Sequence, residues 1–109
     1  MIHSSIDLGD LLIDVSEDND NSNSMDFTGW RSACRSVTIF GPGTLTSTIT
    51  VQVSQDGTNW RDLQSAGADI TIPADGAVVI QTTGFKYLRV SGTNEAADRT
   101  FKVMGEDGE

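Results

Sequence analysis

A chain of 109 residues, 37% hydrophobic and 21% charged, has the size of one domain with a modest core. Its formal net charge of −9 disfavours nucleic acid and anionic membrane surfaces as partners, because both are recognised through Lys and Arg. The single cysteine, Cys34, excludes an intrachain disulfide as the source of stability.

The opening MIHSSIDLGD offers neither the basic region nor the apolar run of a secretory signal, and no stretch nears the ~20 apolar residues that span a bilayer. Synthesis in the cytoplasm is the expectation. Residues 6 to 15 carry Ile6, Leu8, Leu11, Leu12, Ile13 and Val15. Ile13 and Val15 bracket Asp14 in alternation and Gly9 would weaken a helix, so a strand is predicted here. Two roles are open to residues 1 to 15: an edge strand, or a terminal arm that binds a partner through Ile2, Ile6, Leu8, Leu11 and Leu12.

Next comes SEDNDNSNS, residues 16 to 24, with no apolar member. Nothing in it can be buried to offset chain ordering, which predicts a mobile, acidic, polar loop. Asp18, Asp20, Ser22 and Ser24 have the alternate spacing of calcium-loop oxygens. An EF-hand, however, needs glycine at its sixth position and glutamate at its twelfth, where this chain has Asn23 and Gly29. A solvated loop with at most weak Ca²⁺ binding is the reading, and no cofactor is expected.

Trp30 has the composition-level potential of a sugar-stacking platform, but an aromatic just ahead of a strand more often packs, so it is assigned to the core or its rim. Cys34 is expected to pack as a small apolar group. The sole histidine, His3, lies next to the start of the sequence, so a His-dependent triad has little to draw on. No enzymatic activity is expected.

From residue 35 the pattern is strongly β. Val37 and Ile39 alternate with polar neighbours up to Gly41-Pro42-Gly43. Leu45, Ser47, Ile49, Val51 and Val53 then share one face, opposite Thr46, Thr48, Thr50 and Gln52, the clearest two-residue period in the chain. Residues 53 to 63, VSQDGTNWRDL, combine an Asp56-Gly57 turn with Trp60. Glycine supplies the positive φ of a tight hairpin, Asp56 accepts bonds from backbone two residues on, and Trp60 is expected to bury its indole. The string is similar to the Asp-box of sialidase-type propellers, but Asp56 and Gly57 are adjacent where the box separates them, and there is one copy. Asp56, Gly57 and Trp60 are therefore assigned to scaffold. Ile70–Ile72, Val78–Ile80, a strand begun by Phe85 and Tyr87, which two apart are expected to share one face and reach the core, and a last strand with Phe101 and Val103 complete the series. About eight short antiparallel strands in one all-β domain read as a sandwich or jelly roll.

The order of these cues resembles that of small virion proteins of tailed bacteriophages. The resemblance runs from Met25-Asp26-Phe27-Thr28-Gly29-Trp30 through TITVQVSQDGTNWRDL to GFKYLRVSGTNEAADRTFKV, residues 25 to 105. It implies a β-sandwich of the phage particle, made in the bacterial host cytoplasm, with no enzymatic motif to transfer. The implied role is a capsid decoration or cement protein that binds the major capsid protein or another virion protein as a homo-oligomer, in expectation a trimer. A neck, tail or fibre component is the alternative within the particle, and a carbohydrate-binding module the alternative outside it. The acidic N-terminal third departs from the pattern.

Overall fold

The structure, a computed structural model, describes residues 5–107. Alternation of apolar and polar residues sets most of the long strands, while Ala77–Gln81 and Ser5–Ile13 carry consecutive apolar residues. The long strands are β1 (Ser5–Ile13), β3 (Cys34–Phe40), β4 (Thr50–Ser54), β8 (Ala77–Gln81), β9 (Tyr87–Ser91) and β10 (Arg99–Asp107). Shorter strands complete the set: β2 (Met25–Asp26), β5 (Trp60–Asp62), β6 (Gln64–Ser65) and β7 (Ala68–Asp69). A 3₁₀ turn at Trp30–Ala33 leads into β3.

Two antiparallel sheets of four strands pack face to face, in the orders β1-β10-β3-β8 and β2-β9-β4-β5, with β6-β7 as a separate ribbon. Leaving that ribbon aside, the first strand pairs with the last, the second with the next to last, and so inward to the β4–β5 hairpin. This nested winding is a jelly roll.

Leu8, Leu11 and Ile13 of β1, Val37 and Ile39 of β3, and Phe101 and Val103 of β10 meet Val51, Leu88 and Val90 of the other sheet in one core. One end of that core is closed by Phe27 and Phe85, whose rings lie edge to face at 5.6 Å. The β1 sequence fits because of a bulge. The register against β10 shifts between Asp7 and Gly9, and Gly9 has φ 108. The extra residue turns both Leu8 and Leu11 inward although they are three apart, which is what made this segment ambiguous between helix and strand.

Three sequence expectations are corrected. Residues 45 to 49 keep the alternating burial of a strand without being one; the Thr46 N–H is taken by the Glu95 carboxylate at 3.1 Å instead of by a neighbouring strand. Tyr87 does not share the face of Phe85: Phe85 precedes β9 in the core, whereas Tyr87 is half-buried against Gly57. The loop at residues 16 to 24 is tied down by hydrogen bonds rather than left mobile. Ser22 is buried and its Oγ accepts the Val90 N–H at 3.0 Å, and Asn21 bridges to Ser91. Short polar side chains do there what apolar burial does elsewhere.

Candidate functional site

Four places follow from the sequence, and the structure separates them. In the N-terminal segment, Leu8 and Leu11 are 1% and 0% exposed and belong to the core. Ile6 packs partly buried against that core, and Leu12 faces outward at 38% exposure. Ile2 lies outside the described residues. A partner-binding arm made from these side chains is thus overturned for Leu8 and Leu11: β1 is an edge strand hydrogen-bonded to β10 along its length, and those two leucines are spent on the domain's own core.

The VSQDGTNWRDL stretch forms the β4–β5 connection. Gly57 has φ 79, a conformation strained for any residue with a Cβ. The Asp56 carboxylate accepts the N–H groups of Asn59 at 2.8 Å and Thr58 at 2.9 Å, and bonds the side chains of Asn59 and Ser54. Those donors, the backbone N–H of Asn59 first, hold its carboxyl well below the usual carboxylate range. A carboxylate committed to four local donors is a turn element, poorly suited to proton transfer.

Trp60 is not a core residue, contrary to expectation. It is half-buried on the outer face of the second sheet, where the Arg89 guanidinium stacks 4.3 Å from its ring centroid. Arg89 in turn donates to Gln52 at 2.8 Å, and Gln52 donates to Asp62 at 3.0 Å. A sugar-stacking platform needs an open ring face, and the cation occupies one face here. Trp30 is likewise corrected: it is 60% exposed on its 3₁₀ turn, with Arg31 4.7 Å from the ring centroid. Arg31 is held by the Leu8 carbonyl, which accepts from its Nε at 3.1 Å, so Trp30 sits outside the sandwich as the companion of an anchored arginine.

In the acidic loop the carboxylates bond to backbone rather than converging. Asp18 accepts the N–H groups of Asp20 at 2.9 Å and Asn21 at 3.0 Å, and Asp20 accepts that of Asn94 at 2.6 Å. Among the described residues no group of three His, Cys, Asp or Glu side chains is arranged to hold a metal ion. A concavity of ≈ 330 Å³ opens beside the β4–β5 turn, lined by Val53 and Phe85 together with Gln55, Asp56, Asn59 and Arg61.

Two features were not read from the sequence. Glu95 is 2% exposed and gathers Thr46, Ser47 and Arg99 around its carboxylate. Nothing in TNEAAD signals this, because Thr46 and Ser47 lie in a distant loop and Arg99 alone is near in sequence. The other is the outer face of the first sheet, where Phe40 is 43% and Val79 65% exposed. The alternation of TIF and AVVIQ places them there, once β3 and β8 are known to be neighbours.

No protein-family model and no curated protein sequence matches the chain. Among solved structures, the fold is similar to that of the SPBc2 prophage-derived protein YomS. The TM-score is 0.63 over 97% of this chain and 94% of that one, at 11% sequence identity, a likeness of fold.

Proposed function

We propose that this protein is a non-enzymatic structural component of a tailed-phage particle, and that it decorates the capsid, binding across the major capsid subunits and stabilising the assembled head. The observation that carries this reading is the near end-to-end fold likeness to a prophage-derived protein, which agrees with the phage-like order of motifs between Met25 and Gly105. The jelly roll also serves viral capsids and lectins alike, so the fold fits without deciding the role. An apolar outer sheet face suits contact with protein better than catalysis. Binding that prefers the assembled shell stabilises it by mass action without chemistry.

The test is co-sedimentation of the purified protein with phage heads that lack it, followed by heating of the decorated and bare heads. Saturable binding and a raised disassembly temperature are expected. Immunogold labelling confined to the neck, tail or fibres would replace decoration with the tail-associated role, and specific retention on a glycan array without head binding would favour the carbohydrate module.

A further inference from the structure

We propose that two copies of this chain join edge to edge through β8, in an antiparallel pairing centred on Val79. The proposal does not depend on the capsid role.

The first argument is the open edge. Gly41 donates to the Gly76 carbonyl at 2.8 Å, and Thr82 to the Arg35 carbonyl at 3.0 Å. In an antiparallel ladder such bonds bracket pairs that do not bond each other, here Phe40–Ala77 and Ser36–Gln81, and by alternation Thr38–Val79. The N–H and C=O groups of Ala77, Val79 and Gln81 therefore point away from β3. Among the described residues, no hydrogen bond reaches these groups.

The other edges of the two four-stranded sheets are guarded. Along β1, Asn23 bonds both the N–H and the carbonyl of Leu12, and Arg31 bonds the Leu8 carbonyl. β2 is two residues long and its Asp26 carbonyl accepts from Arg31. β5 is three residues long and carries Arg61 and Asp62. β8 has five residues, with no charge, proline or bulge. Proteins usually block such an edge, because it templates pairing with another strand.

The second argument is self-complementarity, which commits the edge to a second copy. A two-fold axis at Val79 sets Val79 opposite its mate, Val78 opposite Ile80 and Ala77 opposite Gln81. The outward-pointing residues then exchange N–H···O bonds pairwise. The inward β-branched pair Val78–Ile80 extends the core layer across the junction, covering a Val78 that is only half-buried in one copy. The outer side brings together Val79, Ala77 and the adjacent Phe40, a neutral strip on a chain of net charge −9. Antiparallel pairing also sets the exposed Asp75, before β8, toward the end of the partner strand where Arg35 lies beside Thr82. Like-charged bodies approach best on such a strip.

Sedimentation velocity over a concentration series, combined with residue-resolved hydrogen exchange, tests this. A monomer–dimer equilibrium is expected, with the Ala77, Val79 and Gln81 amides becoming protected as the dimer forms. The Val78 and Ile80 amides, which bond to β3, should be protected throughout. Val79→Lys should weaken dimerisation at least tenfold and Ala77→Lys should do likewise, while Val79→Thr retains it; unchanged melts would show that each variant folds. A chain that stays monomeric with the three amides always fast-exchanging would overturn the proposal. So would a dimer or trimer indifferent to both lysine variants.

Discussion

Arg99 places its Nε 2.7 Å from the Glu95 carboxylate, with the two side chains 11% and 0% exposed. The same carboxylate accepts the Thr46 N–H and Oγ1, each at 3.1 Å, and the Ser47 hydroxyl. Glu95 thereby pins the loop before β4 to the loop before β10, and its own N–H binds the Asn19 carbonyl of the acidic loop at 2.8 Å. Three connections at one end of the jelly roll converge on a single residue.

Burial alone would push the Glu95 carboxyl up, but the bonds from Arg99, Ser47 and Thr46 outweigh it and bring the carboxyl down to about 2 from 4.5. The unfolded chain then binds this proton more tightly than the folded one. The stabilisation is complete above about pH 4.5 and is lost as pH falls toward 2. Glu95→Ala should cost roughly 3–5 kcal/mol at neutral pH, since it leaves a largely buried Arg99 unpaired. Glu95→Gln should cost less. The melting temperatures of wild type and Glu95→Gln should converge as pH falls through that window; a gap that persists at pH 2 would show that the charge is not what matters.

The acidic loop is the second prediction. Ser22 caps the buried side of β9 through the Val90 N–H, and the Asp20 carbonyl accepts the Gly92 N–H at 2.7 Å. Ser22→Ala should destabilise by roughly 1–3 kcal/mol, the cost of a buried N–H left without a partner. Replacing residues 17 to 23 with Gly/Ser linker should lower the denaturation midpoint further. A linker variant that melts like wild type would mean that water replaces these bonds at no cost.

The sandwich was legible because burial on one face imposes a two-residue period, as in Val37-Thr38-Ile39 and Val51-Gln52-Val53. That period gives strands but not neighbours. The Phe40–Val79 face became visible only when β3 and β8 were found adjacent, and the Glu95 hub only when residues 46 and 95 met. Polar tethering explains the loop error: composition argues against apolar burial, and Ser22 is buried through hydrogen bonds instead. The tryptophans were misplaced for a related reason. An indole is large enough to suggest the core, yet both rings are covered by an arginine on the outer surface.

The stack of Arg89 on Trp60 makes a third prediction. Trp60→Ala should cost roughly 1–2 kcal/mol, the scale of a partly desolvated cation–π contact, rather than the larger penalty of a core truncation. Arg89→Lys removes the planar stack and the geometry of the bond to Gln52 while keeping the charge. A double-mutant cycle should give a coupling of roughly 0.5–2 kcal/mol. Strict additivity would mean that the ring and the guanidinium are neighbours without being partners.

The last prediction concerns Gly105, which faces the core at the one point where β10 has no side chain to offer. A Cβ there would lie 2.5 Å from the Cys34 Sγ and 2.9 Å from Leu8 Cδ1, closer than packed atoms allow. Cys34 is buried at the start of β3, and Leu8 is the extra residue of the β1 bulge. The absent side chain is therefore what lets β1 and β3 close over β10 together. Gly105→Ala should destabilise by roughly 1–3 kcal/mol through overpacking. Because the nearest atom is the Cys34 sulfur, Cys34→Ala should recover part of that loss in the double variant although it opens a small cavity alone. Thermal melts of the four proteins measure the coupling. If Cys34→Ala and Gly105→Ala destabilise independently, the sulfur is not what excludes a side chain at 105, and relief must be sought at Leu8 through Leu8→Val.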